Sequence, residues 1–148
     1  MATTTRNRPP QSAVARRGGN VVAILINGAL LYLLNAHPGW RAVPFLTPAT
    51  TQVIGLVNLT LAAGIVANLV YFVAQPRWLR AIGDLTTLTI SLITTVRIWS
   101  VFPFAFHGSM AFWSDVVRVL LVIGIVGASI GIVYSAVTLL RSIARAGR

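Results

Sequence analysis

"TQVIGLVNLTLAAGIVANLVYFVA", Thr51 to Ala74, runs for 24 residues without one charged side chain. The hydrocarbon core of a bilayer, about 30 Å thick, is crossed by about 20 helical residues. In that solvent every backbone N–H and C=O must be paired within the helix or within a closed barrel. The stretch is too long for a barrel strand and lacks period-two alternation, so the reading is a membrane-spanning helix. Thr47-Pro48 ahead of it is an N-cap and first-turn pair, which lets the helix begin as early as Pro48. Gln75-Pro76 closes it, because proline cannot continue a helix easily.

Three other segments read the same way. "NVVAILINGALLYLLNA" covers 20–36 and ends at His37-Pro38-Gly39. "LRAIGDLTTLTISLITTVRIWSVF" covers 79–102 and ends at Pro103. The last runs over about 114–140, with Ser114-Asp115 as its start signal. The predicted fold class is all-α, an integral membrane four-helix bundle. Residues 1–19 form a basic tail, 20–140 the transmembrane domain and 141–148 a second basic tail. The first tail is rich in Thr, Arg, Pro and Gly and has too little apolar surface to fold alone, so it is expected to be disordered. Arg16-Arg17 before an apolar run also resembles an export signal. A cut after Ala36 would put bulky Leu34 where a small residue is wanted, so the span is expected to stay.

Composition agrees with a membrane protein: 56% of residues are hydrophobic and 9% charged, where soluble proteins carry about one quarter. The net charge is +10, and all twelve basic residues are arginine. These arginines are dispersed at the ends of apolar runs, so nucleic acid is not the expected partner. There is no cysteine, which removes disulfides, thiol chemistry and cysteine metal sites.

The arginines also set an orientation. Arg6, Arg8, Arg16, Arg17, Arg77, Arg80, Arg141, Arg145 and Arg148 fall in segments on one side of a four-span chain, and Arg41 alone in the loops opposite. Nine against one predicts that the N-terminus and C-terminus are both cytoplasmic. Trp40, Trp99 and Trp113 then fall near the outer boundary and Trp78 near the inner one, the zone indole rings prefer. The tail's basic charge suits topology and anionic lipid.

Polar residues inside the spans are the candidates for packing or function. At 100° per residue Asp84, Thr87, Ser91, Thr94 and Thr95 form one stripe on the third helix, expected to face other helices. Asp84 follows Arg80 by four residues, and a surface pair between them is expected. A deeper Asp84 would suit a proton carrier. "GIVGASIGIVYS" on the fourth helix holds Gly127 and Gly131, extended by Ser135, with Gly124 and Ala128 beside them. Small residues at every fourth position let two backbones approach, in this chain or between copies. Asn27, Asn35, Asn58 and Asn68 add interhelical hydrogen-bond candidates.

Arg97 lies about 7 Å inside the far end of the third helix, within reach of the interface by snorkelling. Headgroup phosphates or Asp115 are its expected partners, with Arg118 competing for Asp115. The sharper alternative is an anion or lipid site in which Arg97, Arg118 and Arg41 gather, Asp115 nearby. Its lid would be Trp40, Phe45, Trp99, Phe102, Phe104, Phe106, Phe112 and Trp113. His37 and His107 at the outer surface allow a metal or haem reading, but neither lies within a span and no Cys or Glu completes a zinc site. The expected cofactor is none. No Ser-His-acid set, phosphate loop or paired carboxylate points to catalysis.

"ANLVYFVAQPRWLRAIGDLTTLTISLITTVRIWSVFPF", with "WSDVVRVLLVIGIVG" after it, resembles small uncharacterised bacterial four-span membrane proteins, a resemblance that implies no reaction. Size and topology are also similar to the GtrA-like family, linked to movement of polyprenyl-linked sugars, though its motifs are not matched here. The expected function is that of a non-catalytic accessory or assembly component of the bacterial plasma membrane. Its expected partners are the lipid bilayer and either further copies of itself or a larger membrane protein. The alternatives are a small carrier or flippase for an anionic lipid-linked substrate, and a metal- or haem-binding redox subunit.

Overall fold

The computed structural model of the chain describes residues 13–74 and 76–146. They form four long helices: α1 (Ala13–Asn35), α2 (Ile54–Val73), α3 (Arg77–Val101) and α4 (Trp113–Ala146). Among the described residues there is no strand, and all four helices are long and apolar enough to cross a membrane. At 1.5 Å per residue α2 measures about 30 Å, the thickness of a hydrocarbon core, and α4 about 51 Å.

Helix ends depart from the sequence expectation in four places, each for a local reason. Residues 13–19, expected in a disordered tail, are the first turns of α1; residues 1–12 lie outside the described set. Pro48 opens a short 3-10 turn, Pro48–Gln52, and the α-helix proper starts at Ile54. Thr47 makes no side-chain cap there, so the cap expected of it is not formed. α3 starts at Arg77, directly behind Pro76, whose fixed φ is compatible with an N-cap. α4 runs on past Leu140 to Ala146, so Arg141 and Arg145 belong to a helix and not to a tail.

Packing joins consecutive helices. α3 lies most extensively against α4, α1 against α2, and the α2–α3 seam is the thinner join between these two hairpins. The four helices of the expected bundle therefore pack in sequence order, as a row. α1 and α4 are the flanks of the row, and each leaves its outward apolar face exposed, Leu25 and Ile26 on α1, Ile123 and Ile130 on α4.

The two ends of the row differ. At the loop end, the α1–α2 and α3–α4 connections meet in an isolated antiparallel bridge between Leu46 and Phe104. The Thr47 N–H donates to the Pro103 carbonyl at 2.9 Å, and the Ala105 N–H to the Phe45 carbonyl at 2.9 Å. Phe45 and Phe106 stack at 5.4 Å, and Phe104 extends the stack at 6.2 Å from Phe106. Pro103 is fully buried beneath them. The other end, the terminal end, holds the start of α1, the 74–76 link and the last turns of α4.

Candidate functional site

The α3–α4 interface is built on small residues, at a spacing that differs from the expected one. A side chain added at Gly131 would meet Leu88 Cδ1 at 2.8 Å, and one at Gly124 would meet Thr95 Cγ2 at 3.6 Å. Ala128 and Ser135 are buried beside them. Gly127 has open space around it. The contacting positions 124, 128, 131 and 135 follow a four-three-four spacing, the seam of a left-handed helix pair. At 100° per residue Gly127 lies about 60° from Gly124, beyond the edge of that seam. Of the every-fourth-residue series 127, 131 and 135, Gly131 and Ser135 therefore carry the contact within the chain and Gly127 does not.

The polar stripe of α3 divides between two neighbours. Thr94 is buried and bonds across to α2, its hydroxyl 2.8 Å from that of Thr60 and 3.2 Å from the Leu56 carbonyl. Thr95 packs toward Gly124 of α4 while its hydroxyl donates to the Ser91 carbonyl at 2.7 Å. Thr87 donates to the carbonyls of Gly83 and Asp84. Hydroxyls that return to their own helix carry no path for an ion. Between α1 and α2, Asn35 and Asn58 exchange reciprocal amide bonds of 2.8 and 2.7 Å.

At the loop end the arginines have separate surroundings. Arg97 is exposed, and among the described residues neither it nor Arg118 forms an ion pair with Asp115. Arg118 instead places its guanidinium over the rings of Phe102 (4.5 Å) and Trp99 (5.7 Å). Arg41 lies over Trp40 at 5.4 Å and lines a separate cleft with Asn35 and Ile54. Arg118 and Arg41 thus rest on different aromatic partners, and the Asp115 clamp is not formed among the described residues. His37 and His107 are both exposed in the loops.

At the terminal end, polar residues from three helices do converge. Arg16 and Asn20 of α1, Asn68 and Tyr71 of α2, and Arg80 and Asp84 of α3 line a cleft of about 520 Å³. Tyr71 is buried, and its hydroxyl donates to Asp84 Oδ1 at 2.8 Å and to the Arg80 carbonyl at 3.1 Å. The Arg80 guanidinium stands 5.1 Å over the Tyr71 ring. The expected Arg80–Asp84 pair is thereby replaced: the phenol takes the carboxylate, and the ring takes the guanidinium. Asn20 Nδ2 is buried without a hydrogen-bond partner. Sequence reading passed over Asn20 and Arg16 as site residues because both sat at a boundary assigned to tail and span start. Had the helix been started at Ala13, Arg16 and Asn20 would have been read four apart on one face.

Behind Tyr71, on the opposite side of the α2–α3 seam, lies an apolar groove of about 410 Å³. Ala62, Ala63, Ala67 and Gly83 are its small lining residues.

The chain matches no protein-family model, no curated protein and no solved structure.

Proposed function

We propose that this chain is a non-catalytic, multi-pass component of the bacterial plasma membrane, with both termini in the cytoplasm, that acts by assembling with another membrane-embedded protein or with further copies of itself. One observation carries this reading: the helices form a row with two open flanks. α4 leaves Val119, Ile123, Val126, Ile130 and Val133 uncovered along several turns, and Gly127 gives that flank a position where a neighbouring helix can approach closely. The cytoplasmic placement of the termini rests on the arginine asymmetry of the sequence.

The test is native mass spectrometry of the full chain released from membranes in mild detergent and, separately, in polymer nanodiscs. The expected result is a defined complex, either with a second protein or between copies. A monomer under both conditions would sink the reading and leave lipid as the cover of both flanks.

A further inference from the structure

We propose that the cleft at the terminal end binds the phosphodiester headgroup of a membrane lipid, with Arg16, Arg80 and Asn20 as donors.

The donors and acceptors of the cleft are unbalanced. Asp84 Oδ1 already accepts from Tyr71, and Asn68 Nδ2 is engaged by the Gly64 carbonyl at 2.7 Å. Neither Arg16 nor Arg80 has an ion-pair partner among the described residues. Asn20 Nδ2 is a buried donor with no partner, and such a group is costly unless a ligand satisfies it. A guanidinium carries five N–H donors in a planar fork and accepts nothing. The missing partner is therefore an acceptor-rich group.

Charge narrows its class. Two guanidinium groups stand against one carboxylate, so the cleft holds one net positive charge. A phosphodiester is singly negative and offers several acceptor oxygens, which match forked donors. Depth narrows it further. Asn20 is seven residues into α1 and Asp84 seven residues into α3, about 10 Å along each axis at 1.5 Å per residue. That level is where headgroups meet acyl chains when the helices span a bilayer. Trp78, half exposed at the same end, suits that interface.

The experiment uses the full chain in detergent, titrated with dioctanoyl-phosphatidylglycerol, with dioctanoylglycerol as the phosphate-free control and with inorganic phosphate. Binding is read by native mass spectrometry and folding by thermal melting. The wild type is expected to retain phosphatidylglycerol and not dioctanoylglycerol. Arg16→Gln and Arg80→Lys should each weaken retention on the order of tenfold, since losing one charge-assisted contact is worth roughly that. Arg97→Gln, at the other end of α3, should bind as the wild type does.

Asn20→Leu separates binding from folding. Removing an unsatisfied buried donor should raise the melting temperature of the lipid-free protein while lowering retention. A purely structural Asn20 would move both readouts in the same direction. Displacement of the lipid by millimolar inorganic phosphate would assign the site to the phosphate group itself, and resistance to displacement to the whole lipid. Equal retention of dioctanoylglycerol, or unchanged retention in Arg16→Gln, Arg80→Lys and Asn20→Leu, would overturn the proposal.

Discussion

Gly127 and Gly131 are four residues apart in one small-residue series, yet they meet opposite surroundings. Gly131 sits against Leu88 and Gly127 against nothing. Gly131→Leu is expected to destabilise the protein by about 1–3 kcal/mol, because added bulk in a packed contact forces side chains and backbone apart. Gly127→Leu should leave monomer stability unchanged. Thermal melts of both variants in detergent provide the check, and equal losses would place a second, unseen contact at Gly127. Gly83 gives a sharper case. A methyl group there would run into the Tyr71 hydroxyl, whose position is fixed by two hydrogen bonds. Alanine favours a helix by up to about 1 kcal/mol over glycine, but the clash should win, so Gly83→Ala should melt lower than wild type. Tyr71→Phe removes the hydroxyl and should cost about 1–2 kcal/mol through the lost bonds. Combined with Tyr71→Phe, Gly83→Ala should be much less costly, a coupling that a double-mutant cycle measures directly. The sequence announces small residues but cannot rank them: a face rotation of about 60° decides which glycine matters, and that rotation depends on the crossing angle with α3.

Among the elements, helix existence was legible and helix partnership was not. Long apolar runs, three of them closed by Pro38, Pro76 and Pro103, are sufficient to define four helices. The start of α1 was misplaced because Arg16, Arg17, Gly18 and Gly19 read as tail. Arginine favours helix, and two glycines cost only about 1 kcal/mol each in a helix that is stable beyond them. The polar candidates were found in part. Asp84 and the Thr94 stripe were visible from period alone, whereas the cleft that surrounds Asp84 draws on α1 and α2, which no spacing within α3 can report. At the loop end, spacing alone did not report that aromatic rings face the guanidinium groups: Arg118 lies on Phe102 and Trp99, Arg41 on Trp40. Two substitutions follow from that arrangement. Asp115→Asn should melt within about 0.5 kcal/mol of wild type, as substitutions away from specific contacts do. Arg118→Ala should lose about 0.5–2 kcal/mol with its two ring contacts. A larger loss in Asp115→Asn than in Arg118→Ala would restore the ion-pair clamp.

At the scale of the whole molecule the row of helices and the arginine asymmetry make separable statements. Orientation is argued from charge, and reporter fusions check it. Fusions after residue 45 or 108 should report the outside, and fusions after 76 or 148 the cytoplasm. A cytoplasmic signal at 108 would reverse the assignment of the two faces, and with it the leaflet from which the terminal cleft draws lipid. The row itself was not legible, because a hydrophobic run in a membrane has no solvent side to mark which face is covered. In water an uncovered α1 and α4 would be a defect; in lipid they are surfaces at no cost, and periodicity loses its main signal. The length of α4, about 51 Å, exceeds a hydrocarbon core of about 30 Å. A helix of that length fits such a core only with tilt or with turns beyond it, and Arg141 and Arg145 lie in its last turns.

The backbone pairing of the two loops bears on how the chain is made. Thr47 finds its acceptor on Pro103 and Ala105 its acceptor on Phe45, so two complete helices must leave the ribosome before either bond can close. Until then the loop of the α1–α2 hairpin has no partner for these bonds. Translation through α3 supplies the strap that holds one hairpin to the other, where the α2–α3 seam alone is thin. A released chain truncated before Pro103 should thus leave residues 36–53 open to protease, and the full chain should protect them.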